Sequence, residues 1–192
     1  MSKMAKGIRS FIALDITDEI RAKLGPILQD LEDSRADLRM VDPVNLHFTV
    51  KFLGNITQDT IDRIAECMES VQGLLGFDIK VQGLGAFPRA SRPRVIWVGV
   101  SDGRDRMVAL SERLDAELSA LGFEKERSHV PHLTLARSRR RGRNPEIAAF
   151  LEKMGDLEIG TMHVDNLVLK RSDLSPRGPT YSDILKVEAS GD

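Results

Sequence analysis

Residues 45–54 read NLHFTVKFLG, and the fold turns on how this stretch is read. Leu46, Phe48, Val50 and Phe52 alternate with His47, Thr49 and Lys51. That is the two-residue period of a strand with one apolar face. The apolar set predicts a strand laid on a core. The polar set puts an imidazole beside a hydroxyl, with Lys51 in line behind them. Eighty-five residues further on the chain repeats the device: residues 132–135 read HLTL.

The segments around each strand also match. Residues 8–16 read as a strand. Residues 17–34 read as a helix capped by Thr17, with Asp18 and Glu19 in its first turn and Pro26 expected to kink or interrupt it. The strand at His47 is expected to close at Gly54-Asn55. An amphipathic helix follows, with Ile61, Ile64, Ala65, Met68 and Val71 on one stripe. Residues 77–87 and 95–100 read as strands on either side of a Pro/Arg loop. The order then recurs: a helix ended by Gly122, the His132 strand after Pro131, an arginine-rich loop, and a helix opened by Pro145. Residues 158–174 and 179–188 read as late strands, and the last four residues as a frayed end. The repeat is one of pattern, without close identity between the halves. It predicts a two-lobed α+β fold, with antiparallel sheets covered by helices on one face. No linker divides it, so residues 1–192 read as a single bilobal domain.

Bulk properties narrow the function. With 192 residues and a formal net charge of −1, the chain has no global attraction to polyanions. Any anion site must arise locally, and residues 137–143, RSRRRGR, are the one basic cluster. No run approaches the roughly 18 apolar residues of a membrane span, so no membrane partner is expected. The basic-then-apolar start ends at Asp15 and reads as a first strand, not a signal peptide. Cys67 is the lone cysteine, which precludes an internal disulfide and suits a reducing cytoplasm. No glycine-rich phosphate loop followed by Lys-Ser/Thr is present, so ATP use is not indicated.

Residues i and i+2 of a strand point the same way, about 7 Å apart. His47 with Thr49, and His132 with Thr134, therefore each pair an imidazole with a hydroxyl, while Phe48 and Leu133 turn to the core. If the lobes meet about a pseudo-twofold axis, four side chains converge in one groove. Two facing imidazoles suit a reaction in which one takes a proton from a nucleophile and the other gives one to a leaving group. Hydroxyls can donate to an anionic oxygen. A phosphoester meets all of these demands.

These residues resemble the two-histidine (2H) phosphoesterase superfamily, and within it the RNA 2′,3′-cyclic phosphodiesterases, the LigT-like or 2′-5′ RNA ligase group. The likeness is carried by LHFTVKFLG and PHLTLAR, with RSFIALDI, FPRASRPRVIWVGV and VDNLVLKRSDLSPRGPTYSDI as flanks. It implies an α+β fold of two pseudo-symmetric lobes, with antiparallel sheets lining a central groove and helices on the outer faces, and hydrolysis of RNA or nucleotide 2′,3′-cyclic phosphates to 2′-phosphates without metal or other cofactor. It makes His47 and His132 the acid/base pair and Thr49 and Thr134 the phosphate holders. Arg137 is out of phase with His132 and Thr134 unless a bulge re-aims it, and the resemblance favours it as a phosphate contact. The implied partner is RNA with cyclic phosphate ends, tRNA fragments being one source. Reversal would give 2′-5′ ligation. A linear 2′-5′ oligonucleotide, a small cyclic nucleotide, or a non-catalytic RNA-end binding role are the alternatives.

Other residues read as ordinary. His129 and His163 lack the companions of a metal site, Trp97 and Phe48 read as core, and Cys67 as a buried thiol. Arg139, Arg140, Arg141 and Arg143 read as a basic rim. Residues 175–181, SPRGPTY, form a rigid turn, where the resemblance places Arg177 or Tyr181 near the groove. A groove complete within one chain makes a monomer the default.

Overall fold

In the computed structural model, which describes residues 7–34, 36–176 and 178–190, the strands join one antiparallel sheet. They are β1 (Ile8–Asp15), β2 (Leu38–Met40), β3 (His47–Ile56), β4 (Phe77–Phe87), β5 (Val95–Val100), β6 (His132–Ser138), β7 (Glu158–Val164), β8 (Asn166–Ser175) and β9 (Gly178–Glu188). The helices are α1 (Asp18–Asp33), α2 (Gln58–Glu69), α3 (Arg104–Ser119) and α4 (Pro145–Met154). The strand order is β7-β4-β5-β6-β3-β1-β8-β9, with β2 added beside β6. Arg177, the terminal residues 191–192 and residues 1–6 lie outside the described residues.

The expected α+β architecture of two pseudo-symmetric lobes is present, with one refinement. The two lobe sheets touch and become one. β3 and β6 meet at the centre through a single register pair, Phe48 with Leu133, both fully buried. A shift of 85 residues carries β1 onto β5, α1 onto α3, β3 onto β6, α2 onto α4 and β4 onto β8, to within four residues at each start. The lobes, however, are not the halves of the sequence. β4 ends the first repeat yet pairs with β5 and β7, while β8 ends the second repeat yet pairs with β1 and β9. Residues 158–174 therefore break at Asp165, because β7 belongs to one end of the sheet and β8 to the other.

Local chemistry explains the elements. Thr17 caps α1, its Oγ1 accepting from the Ile20 amide at 3.3 Å. The helix runs unbroken through Pro26, because Ile20, Leu24, Ile27, Leu28 and Leu31 bury one continuous stripe. Gly103, before α3, has φ +76, and a Cβ there would lie 2.3 Å from the Asp78 carbonyl oxygen, so this turn requires glycine. Gly54 does not end β3; the strand continues to Ile56 with Gly54 at φ +71. No helix among the described residues is long and apolar enough to cross a membrane.

Candidate active site

His47 begins β3 and His132 begins β6, so the central seam brings both to one place. His47, Thr49, His132, Thr134 and Arg137 all line a single groove of about 1370 Å³. Each imidazole is fixed through Nδ1. His47 Nδ1 lies 2.6 Å from the Asn45 carbonyl oxygen, and His132 Nδ1 lies 2.7 Å from that of Val130. A carbonyl only accepts, so Nδ1 carries the proton in both neutral rings, and Nε2 is left with its lone pair. His47 Nε2 is 3.0 Å from Thr49 Oγ1. Each ring also rests on a phenylalanine. Phe11 stacks on His47 at 4.8 Å between centroids, and Phe87 meets His132 edge-on at 4.9 Å. Tyr181, lining the same groove, sets its ring edge-on to His47 at 5.3 Å.

Burial pushes both imidazoles below the ordinary histidine value. For His47, the Asn45 carbonyl and Asp15 oppose that shift, while Lys170 and His132 add to it. Lys170 is buried between Asp15 and Asp183, at 2.9 and 2.6 Å, so its charge is fixed behind His47. For His132, the Val130 carbonyl opposes the shift and Arg137 adds to it.

Two β-bulges finish the site. Along β3, Thr49 faces Ala13 and Lys51 faces Ile12, so Val50 is the extra residue. Along β6, Thr134 faces Trp97 and Ala136 faces Ile96, so Leu135 is extra. The bulges sit at equivalent positions of the two repeats, and each reverses the alternation beyond it. In β6 this turns Arg137 into the groove, which strict alternation denies it. In β3 it corrects two expectations. Phe52, which the alternation puts in the core, is 61% exposed and lines the groove. Lys51, expected beside His47, turns to the opposite face and is only 4% exposed. There its ammonium meets Asp115 at 2.5 Å and donates to the Glu124 carbonyl. Trp97 is also corrected: it is part-exposed, is register partner to Thr134, and lies 6.4 Å from the His132 ring.

Phe52, Arg39 and Arg9 line the groove without having been signalled by the sequence pattern. The usable signal was spacing: Phe52 and Arg137 both stand five residues after their histidine. The remaining histidines lie elsewhere. His129 faces Asp115 at 3.5 Å and His163 binds Asp78 at 2.7 Å. Among the described residues, no group of three or more His, Cys, Asp or Glu side chains is gathered for a metal ion. Cys67 is buried on α2.

Comparison with known proteins gives the family. The family pattern described as LigT like Phosphoesterase matches twice, over residues 14–97 and 98–181. Each match contains one His-x-Thr strand. A protein of Archaeoglobus fulgidus named RNA 2′,3′-cyclic phosphodiesterase is 37% identical over 177 residues, covering 92% of this chain and 98% of its own. One of the same name from Methanothermobacter thermautotrophicus is 34% identical over 178 residues, covering 92% and 96%. Among solved structures, TT0787 of Thermus thermophilus superposes with a TM-score of 0.80 at 26% identity, covering 96% of this chain and 100% of that one. E. coli LigT in its apo form shares the fold, with a TM-score of 0.73 at 20% identity over 97% and 100%. A pattern found once in each repeat, and relatives matched along nearly their whole length, show that this protein belongs to the LigT-like phosphoesterase family.

Proposed function

We propose that the protein opens the 2′,3′-cyclic phosphate at the 3′ end of RNA, giving a 2′-phosphate and a free 3′-hydroxyl. One observation carries the reading. Two imidazoles, each with Nδ1 tied to a backbone carbonyl, share one groove with two threonines and Arg137. Ring opening needs a proton taken from water and a proton given to the departing O3′. Each histidine can serve one of these transfers, so the reaction needs no metal. Thr49, Thr134 and Arg137 would bind the phosphoryl oxygens. His132 is assigned as base, because its Nε2 has no hydrogen bond to a described residue and can take water's proton. His47 is assigned as acid. The bond to O3′ breaks as the water oxygen bonds to phosphorus, and the two protons end on His132 and O3′.

The relatives' names support this substrate class. So does Phe52, an exposed ring in the same groove, 6.2 Å from the Phe11 ring that stacks on His47, on which a nucleobase can stack. The same acid/base pair run in reverse would join ends by a 2′-5′ linkage. tRNA fragments bearing cyclic phosphates fall within the substrate class. One chain supplies both histidines, which suits a monomer, and the lone Cys67 suits the cytoplasm.

The test uses a short RNA ending in a 2′,3′-cyclic phosphate, with excess chelator, and phosphorus NMR of the product. The expected product is a 2′-phosphate, and His47→Ala and His132→Ala each lower kcat by about 10²–10⁴-fold. Full turnover in either variant, or a 3′-phosphate product, would refute the reading. A crystal of the product complex tests the role assignment, since His47 must lie beside the new 3′-hydroxyl.

A further inference from the structure

β2 has no counterpart in the second repeat: the 85-residue shift carries it onto residues 123–125, which form no strand. Its three residues pair with β6, and the pairing sets Arg39 directly opposite Arg137. Like charges at directly opposed antiparallel positions repel and destabilise the pair. Proteins normally offset such a juxtaposition with a carboxylate. Here the nearby acid, Asp37, is taken by Arg139 and Arg140, at 3.9 and 3.0 Å. Among the described residues, neither Arg39 nor Arg137 has an ion-pair partner. Arg9 on β1 is exposed into the same groove and is likewise unpaired among the described residues. The three guanidinium groups lie around Tyr181. Burial raises the pKa of its phenol, and Arg137, Arg9 and Arg39 all pull the other way. The groove thus holds more positive charge than one cyclic phosphate, a single anion already served by Arg137 and two threonines, can use.

We propose that Arg39, held opposite Arg137 by β2, binds the phosphodiester on the 5′ side of the terminal nucleotide, so that the site selects polynucleotide ends over free cyclic mononucleotides. This rests on the cyclic phosphodiesterase reading above. An RNA end supplies the anion that relieves the Arg39–Arg137 repulsion, because it brings one further negative charge per nucleotide. The register fixes the division of labour. Arg137 shares a strand with His132 and Thr134 and takes the reacting phosphate. Arg39 lies across from it on β2, on the side of β6 away from β5, and takes its neighbour. Arg9, on the other lobe, adds to the field along the same path.

Three substrates separate the contributions: 2′,3′-cyclic AMP, the dinucleotide ApA ending in a 2′,3′-cyclic phosphate, and that dinucleotide with a neutral methylphosphonate between its nucleosides. kcat/KM is measured for each at low salt with wild type and Arg39→Gln. The expected wild-type preference for the charged dinucleotide over the mononucleotide is about tenfold, the scale of one charged hydrogen bond. The methylphosphonate and Arg39→Gln each remove most of that preference, and together they remove no more than either alone. The variant also lowers the salt slope for the dinucleotide by about 0.7. A wild type with no preference would overturn the proposal. So would a preference that survives the neutral linkage, which would assign it to the second base. An equal loss on mono- and dinucleotide in Arg39→Gln would overturn it by assigning Arg39 to the cyclic phosphate itself. Failure of the wild type to hydrolyse any of the three would instead overturn the cyclic phosphodiesterase reading, and this inference with it.

Discussion

At the scale of single residues, the proposed chemistry depends on two imidazoles whose proton affinity burial has reduced. Catalysis needs one ring neutral and the other protonated. In the free enzyme both pKa values lie below the ordinary 6.5, so at neutral pH both rings are mostly neutral and the acid is scarce. The plot of kcat/KM against pH should therefore be bell-shaped, with its maximum midway between the two values and hence below pH 6.5. A bound phosphate anion favours both imidazolium forms, so the kcat profile should peak at higher pH than kcat/KM. A kcat/KM that climbs to a plateau above pH 7 would contradict the burial argument. Phe52 makes a separate prediction. Removing a stacking ring costs about 1–3 kcal/mol per base, so Phe52→Ala should raise KM for 2′,3′-cyclic AMP by about 5- to 160-fold. Steady-state kinetics would show it, and an unchanged KM would remove Phe52 from the binding surface.

At the scale of elements, the strands β3 and β6 show where the sequence could be read and where it could not. From His47 to Thr49, and from His132 to Thr134, strict alternation gives the right face for every side chain. Beyond Val50 and Leu135 it fails, because a bulge is a property of two strands, not one. Its position depends on how β1 and β5 register against their neighbours, and no local pattern states that. Arg137 was legible only as a misfit, an arginine at the wrong phase for its proposed role. The phase of β3 gave no sign of Phe52 or Lys51, since an apolar ring in an apolar phase looks correct; only the five-residue spacing that Phe52 shares with Arg137 pointed to it. The energetic consequence is large for Lys51. The bulge delivers its ammonium to a site where both it and Asp115 are almost fully buried. Breaking such a pair by removing one partner costs about 3–5 kcal/mol. Lys51→Met should lose that much in urea unfolding, and Lys51→Met with Asp115→Leu should recover most of it. A Lys51→Met protein of native stability would mean the pair contributes nothing. Pro26 failed as a breaker for a related reason: burial of the α1 stripe outweighs one lost hydrogen bond.

At the scale of the whole molecule, the doubling of the pattern was plain in the 85-residue spacing, but the exchange of β4 and β8 between lobes was not. Which strand closes which lobe is settled by the sheet as a whole, after the local elements exist. The exchange predicts how the chain divides. Cut in the loop between β4 and β5, the first fragment holds β4 without β5 or β7, and the second holds β8 without β1. Each fragment alone should lack a cooperative unfolding transition by circular dichroism. The two mixed together should regain it, along with hydrolysis of a cyclic phosphate. A first fragment that folds alone would show that the sequence repeat, and not the lobe, is the unit of folding.

The matched bulges have an evolutionary consequence. A self-associated pair of identical half-length chains, related by twofold symmetry, must present the same side chain at equivalent places. Here the equivalent places hold Phe52 and Arg137, an aromatic ring in one and a guanidinium in the other. A single polypeptide holding both repeats is free of that constraint. The shared backbone kink is a mounting point that each half furnishes differently, with a ring in one and a guanidinium in the other.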